Sequence, residues 1–470
     1  MKHTIPKLVV LSVTAVLSAC VSTGPHRLQD PSVAASYGMG NSSMNAPTER
    51  VQLGQDRPVK DVTQDKWWEG FGDERLNRVV TRVIEVNTDL ASAGFRLQRA
   101  RLSAGLATDD LIPDLDISGS AGRSKELAGS HPSVDSYSAS ARLSYELDLW
   151  GRLRTARTIA QWEAKATEED LQSTFLALVG NTCDLYWTIA FLNQRIAAGE
   201  ESLARVERTL ALVRTQFAAG AVSRLELREA EQNLQSQQAA QSQLVQQRVE
   251  ARNALTVLLN GQPWPQEDEP QSMINAHSPE IQPGVPAELL GRRPDLRAAE
   301  LRLRESLSQV KVVKATYYPA ISLTGSVGGS SNSLSDVLAN PVQTLGAGLV
   351  LPFIRFNEAR LNTAIAGTEY EIAANDFRAT LYNAFAEVDS ALSARQELTK
   401  QVELSQQSYE AAEEVERLYE VRYRAGATPL RQWLDAQERR RAAELALAQA
   451  RLSQLQNDSL LFQALGGSAQ

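Results

Sequence analysis

The chain has 470 residues, 43% of them apolar and only 6% aromatic, with a formal net charge of −8. That length admits two or three ordinary domains, and heavy use of Ala, Leu, Gln, Arg and Glu favours long helices over a compact mixed core. The acidic balance speaks against duplex nucleic acid as a partner, because neutralising phosphates takes a basic surface.

Lys2 and Lys7 make a basic start, and Leu8 to Leu17 is an apolar run too short to span a bilayer. The run ends in Leu17-Ser18-Ala19-Cys20, which resembles the lipobox of bacterial lipoproteins. That resemblance implies removal of residues 1–19 and acylation of Cys20, with diacylglycerol on the thiol and a palmitoyl group on the new amino group. The plainer alternative is an ordinary signal peptide with an incidental cysteine. Several acyl chains, at about 0.8 kcal/mol per buried methylene, make a lasting anchor. Val21 stands where an Asp would, by lipoprotein sorting rules, imply inner-membrane retention, so the expected address is the outer membrane. Cys183 alone remains after processing; it lies in a helical apolar run and cannot form an internal disulfide.

Residues 20–65 are rich in Ser, Gly, Pro, Asn and Asp without a sustained period, which predicts an extended lipidated arm. A first unit, 66–261, opens near Trp67-Trp68 with a helical pattern to about Ile112. Strands are expected at about 113–122 and 136–149. In the second, Tyr137, Ala139, Ala141, Leu143, Tyr145, Leu147 and Leu149 alternate with Ser136, Ser138, Ser140, Arg142, Ser144, Glu146 and Asp148. Such alternation means one dry and one wet face, suited to lipid outside and water inside, although a soluble sandwich strand would look similar. Helices are expected at about 151–219 and 222–260, broken at Gly220.

The same order returns at an offset of 206 residues. Pro113, Gly119, Ser120 and Gly122 recur as Pro319, Gly325, Ser326 and Gly328, and Ala219-Gly220-Ala221 recurs as Ala425-Gly426-Ala427. After a linker at 262–285, the second repeat covers 286–470: a helix, strands at about 319–328 and 342–354, and helices at about 358–424 and 430–465. The fold class is therefore mainly α with transmembrane β. Four strands are too few to close a barrel, and open edges cannot face hydrocarbon. Two chains would give an eight-stranded plugged barrel and three a twelve-stranded channel, so a lone chain is excluded but the stoichiometry stays open.

Trp67-Trp68-Glu69-Gly70-Phe71-Gly72-Asp73, Pro286-Ala287-Glu288-Leu289-Leu290-Gly291-Arg292-Arg293-Pro294-Asp295, and Tyr423-Arg424-Ala425-Gly426 with Leu434-Asp435-Ala436-Gln437 resemble TolC/OprM-type outer-membrane efflux lipoproteins of RND-type tripartite systems. The resemblance covers nearly the whole mature chain. It implies a homotrimer with a twelve-stranded barrel continued by a long α-helical coiled-coil tunnel. As partners it implies a periplasmic adaptor (membrane fusion protein) and an inner-membrane pump of RND type. The implied function is an exit duct for drugs or other small toxic compounds. A duct for protein or polysaccharide export, or a structural periplasm-spanning lipoprotein, are the alternatives.

By the same resemblance, Asp435 belongs to an acidic ring that closes the periplasmic end, with Arg424 and Arg431 as cationic support. The bland reading is a solvated Arg431–Asp435 pair at i and i+4. Ala219, Gly220, Ala221, Ala425, Gly426 and Ala427 are the implied adaptor-contacting tips, and are at minimum ordinary helix C-terminal caps. No enzyme constellation or cofactor site is expected: His3, His26, His131 and His277 are scattered and have no metal spacing.

Overall fold

A computed structural model describes residues 32–34, 48–50, 61–126, 132–273, 276–281 and 288–467. The expected signal peptide, Cys20, most of the arm, and Pro286-Ala287 lie outside them. In chain order the elements are β1 (Ser32–Ala34), β2 (Thr48–Arg50), α1 (Glu74–Val86), α2 (Thr88–Asp109), β3 (Asp114–Ser124), β4 (Val134–Leu147), α3 (Arg152–Ala218) and α4 (Arg224–Leu258). Then follow α5 (Leu289–Arg292), α6 (Pro294–Thr316), β5 (Ala320–Ser331), β6 (Val342–Val350), α7 (Phe356–Arg424) and α8 (Leu430–Leu465). The 206-residue offset reappears in the starts of α2 and α6, and of α4 and α8.

Contacts do not divide the chain along its repeats. One compact unit takes residues 98–166 and 299–378, and the other takes 31–97, 167–298 and 379–470, so each draws on both copies.

In the first unit the strands form an antiparallel sheet in the order β3-β4-β5-β6. Its central seam joins the two copies, from Tyr137 opposite Ser331 to Leu147 opposite Ile321. The register sets apolar side chains in rows on one face, such as Leu115, Leu143, Gly325 and Leu345. Nothing among the described residues covers that face: Ile117 is 76% and Leu345 79% exposed. Strand β6 ends at Val350, earlier than the alternation suggested, because Pro352 has no ladder donor and opens a 3₁₀ turn at Pro352–Ile354. Where β4 meets α3, Trp150 packs on Tyr318 at 5.1 Å and donates its indole N–H to the Pro319 carbonyl over 2.7 Å. Asp148 accepts the Leu153 and Arg154 amides at 3.1 and 2.9 Å, which caps α3.

The second unit holds the aromatic core. The helical pattern expected from Trp67 to Ile112 is interrupted twice. Trp67–Phe71 is a 3₁₀ turn ended by Gly72 at φ 69°, and Asn87 starts a new helix by accepting the Asp89 and Leu90 amides. Trp67 stacks on Phe462 at 5.0 Å, Phe71 packs on Trp187 at 5.6 Å, and Cys183 is buried in the same cluster. Helix α3 is long and apolar enough by composition to cross a membrane, but 72% of its most apolar stretch is buried in the fold.

The segment expected to be a linker is docked through side chains. Glu269 is held by Asn193 Nδ2 and by Arg252, Asp268 by Arg78, and Asp458 by Ser278. Glu269 satisfies the buried Asn193, Asp268 pairs with the exposed Arg78, and Ser278 donates from the segment to the buried Asp458.

Candidate functional site

The helix tips lie in the second unit. Both long helices, α3 and α7, end in the same hydrogen-bonded turn. Gly220 donates to the Phe217 carbonyl at 3.0 Å and Ala221 to Gln216 at 2.8 Å; Gly426 donates to Tyr423 at 2.9 Å and Ala427 to Arg422 at 2.9 Å. This 5→2 and 6→1 pairing is a Schellman motif, which needs a left-handed residue at its centre; φ is 72° at Gly220 and 70° at Gly426. A Cβ at either glycine would meet nothing within 4 Å, so the turn itself, not crowding, calls for glycine. Ala219, Gly220, Ala221, Ala425, Gly426 and Ala427 are all exposed.

The descending helices start differently. Ser223 and Glu226 form a reciprocal capping box on α4, whereas Pro429 stands at the equivalent place before α8 and offers no side-chain cap. Between the tips, Leu210 and Val213 of α3, Ala230 of α4, Tyr423 of α7, and Leu430 and Trp433 of α8 form one apolar cluster. Tyr423 lies 5.2 Å from Trp433, and its hydroxyl donates to Gln216 Oε1 over 2.7 Å. These clamping residues were not singled out by the repeat. The spacing Leu430, Trp433, Ala436, Gln437 and Arg440 carries the signal, since i, i+3, i+6, i+7 and i+10 mark a packed helical face.

Asp435 lies on the other face of α8. At 100° per residue it is rotated about 200° from Trp433, whereas Gln437 and Arg440 fall within about 40° of it. Trp433, Gln437 and Arg440 are buried and Asp435 is exposed, so its carboxylate points away from this chain's own packing. Arg431 shares that exposed face. Among the described residues no ion pair joins Arg431 to Asp435, so the solvated i, i+4 pair is absent. Arg424 pairs with Glu420 on its own helix at 2.5 Å. An i, i+4 partner one turn back wins because both side chains already lie on one helix face. The buried cation at this end is Arg440, between Glu416 and Glu444.

The other sequence signatures prove to be structural. In Leu289-Leu290-Gly291-Arg292-Arg293-Pro294-Asp295 both leucines are buried, and Arg293 bonds Asp295, Glu387 at 2.8 Å and the Ala464 carbonyl at 3.2 Å. Arg297, two residues beyond the run, enters a buried pair with Glu169. Asp73, the last residue of the tryptophan signature, caps α1 and accepts the Tyr186 hydroxyl at 2.7 Å.

The sequence model of one family, outer membrane efflux protein, matches residues 79–261 and again 285–467. The pyoverdine export outer membrane protein OpmQ of Pseudomonas aeruginosa is 30% identical over 98% of this chain and 97% of its own length. The toluene efflux pump outer membrane protein TtgC of Pseudomonas putida is 28% identical over 98% and 95%. Among solved structures, the open-state outer membrane channel MtrE of Neisseria gonorrhoeae superposes with a TM-score of 0.78 at 26% identity, covering 89% of this chain and 98% of MtrE.

Proposed function

We propose that this chain, which belongs to the outer membrane efflux protein family, works as a homotrimer. It is an outer-membrane efflux channel. In the trimer, twelve strands close a barrel, and α3, α4, α7 and α8 of each copy line a tunnel on the periplasmic side. The observation that carries this reading is the uncovered apolar face of the sheet together with its free edges, β3 and β6. The apolar face calls for lipid, and in lipid the edges persist only if other copies close them. Its height suits a bilayer: the ten steps from Tyr137 to Leu147 on β4 run about 34 Å along the strand and about 26 Å across a membrane at a tilt of about 40°.

Asp435 then supplies the acidic ring at the tunnel's periplasmic end, supported by its position on the outward face of α8. The exposed tips at Ala219-Gly220-Ala221 and Ala425-Gly426-Ala427 meet the adaptor, which joins the channel to an inner-membrane pump of RND type. Acylated Cys20 adds a second attachment. The names of OpmQ and TtgC, for pyoverdine and toluene, favour small organic cargo. Native mass spectrometry of detergent-extracted protein tests the assembly: a trimer is expected, and a stable monomer as the sole species overturns it.

A further inference from the structure

The sheet's wet face is not uniform along its length. The register sorts it into rows: Glu146, Ser322 and Gly348; then Asp114, Ser144, Thr324 and Gly346; then Asp116, Arg142, Ser326 and Thr344. Beyond these come Ser118 with Ser140 and Ser120 with Ser138, their hydroxyls 3.0 and 2.8 Å apart, and then Gly122 with Ser136. Fixed charge is confined to the three rows nearest α3, and the remaining rows are neutral.

Within the charged rows, Glu146 is neutralised by Arg152, which donates to both its oxygens at 2.8 and 2.9 Å. Asp114, Asp116 and Arg142 remain, all exposed. Two carboxylates less one guanidinium leave one negative charge per chain. The sole wet-face cation of these strands, Arg142, stands directly opposite Asp116.

We infer that this band is a second electrostatic filter, inside the barrel mouth nearest the tunnel: it favours cations over anions, and Arg142 sets how strongly. The inference rests on the trimeric-barrel reading, which turns this face toward a common lumen and places three copies of the band at one level. Carboxylates and guanidinium held at fixed positions in a pore bias passing ions by sign. Removing the cation strengthens the bias, and removing Asp116 weakens it.

Thiol modification of whole cells reads the local potential without passing through the periplasmic end. Ser144→Cys, Ser138→Cys and Ala141→Cys are each treated with a trimethylammonium and a sulfonate methanethiosulfonate; the buried Cys183 contributes no background. Positions 144 and 138 are about 20 Å apart along the strand, more than two Debye lengths at physiological salt. The cationic-to-anionic rate ratio is expected to be about threefold higher at Ser144→Cys than at Ser138→Cys. It should rise further with Arg142→Ser and fall with Asp116→Asn. If Ala141→Cys, on the dry face, is modified as fast as Ser144→Cys, the barrel reading fails and the inference with it. If Ala141→Cys resists modification but the two ratios are equal and Arg142→Ser leaves them unmoved, the barrel reading stands and the filter is overturned.

Discussion

Arg297 and Glu169 are 128 residues apart and form one buried pair: the arginine Nε donates to Glu169 Oε2 over 2.8 Å, and the same guanidinium bonds the Gly291 carbonyl at 2.9 Å and Gln172 Oε1 at 2.9 Å. Gln172 in turn accepts the Val62 amide. The pair therefore ties the segment before the tryptophan signature, helix α3 and the start of α6 to a single charge. Removing one partner strands the other in a low-dielectric site. Arg297→Met should cost about 3–5 kcal/mol, and Arg297→Met with Glu169→Met should recover much of it. The midpoint of denaturant unfolding in detergent checks this; equal losses in the single and double variants would contradict it.

Two glycines with the same backbone angle should respond unequally to alanine. Gly466 has φ 76°, and a Cβ there would lie 2.6 Å from the Arg292 carbonyl oxygen, whereas one at Gly220 would meet nothing. Gly220→Ala should cost only the left-handed backbone strain, about 1 kcal/mol. Gly466→Ala should cost about twice that or more, because backbone must also move. Paired unfolding curves decide, and the prediction fails if the losses match.

Asp184 makes stability depend on pH. Burial pushes its carboxyl up to about 6, and its Oδ1 is buried without a hydrogen-bond partner. Because the folded value lies above the unfolded one, the group costs nothing below about pH 4. The cost grows as pH rises toward 6 and is full above it. Asp184→Asn should therefore stabilise the protein at pH 7.5, by on the order of 2 kcal/mol, and give no gain near pH 4. Unfolding midpoints across that range test the sign.

At the tunnel end, Asp435→Ala should raise closed-state conductance in planar bilayers about twofold or more, because the ring loses its charge and its bulk. Arg424→Ala should do less, since its guanidinium is held by Glu420. Unchanged current in Asp435→Ala would remove that residue from the gate.

Cys20→Ala should abolish incorporation of radioactive palmitate, while the protein still assembles as a trimer. Labelling that persists would identify another attachment site.

Much of the four-stranded sheet was legible because strand alternation is a local signal: Tyr137 to Leu149 declares its faces without reference to any partner. The breaks at Gly220 and Gly426 were legible for the same reason. What stayed hidden depends on choices between partners. Asn87 reads as an ordinary polar helix residue until its side chain is seen capping α2. The Arg424–Glu420 pair went unremarked in the sequence, because an i, i+4 pair on an exposed helix face carries no signal of its own. The linker at 262–285 showed no sign of its docking, although Asp268 and Glu269 each end a long-range hydrogen bond. The signature runs identified the family while saying little about mechanism, since Arg293 and Asp73 hold packing together rather than line a passage.

The seam from Tyr137 opposite Ser331 to Leu147 opposite Ile321 bears on inheritance as well as architecture. A duplicated gene can ordinarily lose, swap or separately tune one copy. Here the middle of the sheet is written half in each copy, so every change on β4 is tested against β5. Recombination between related genes at the repeat boundary would bring together strands that had never been selected as neighbours. Such a chain can diversify the loops between its strands, while its two halves must be inherited as one.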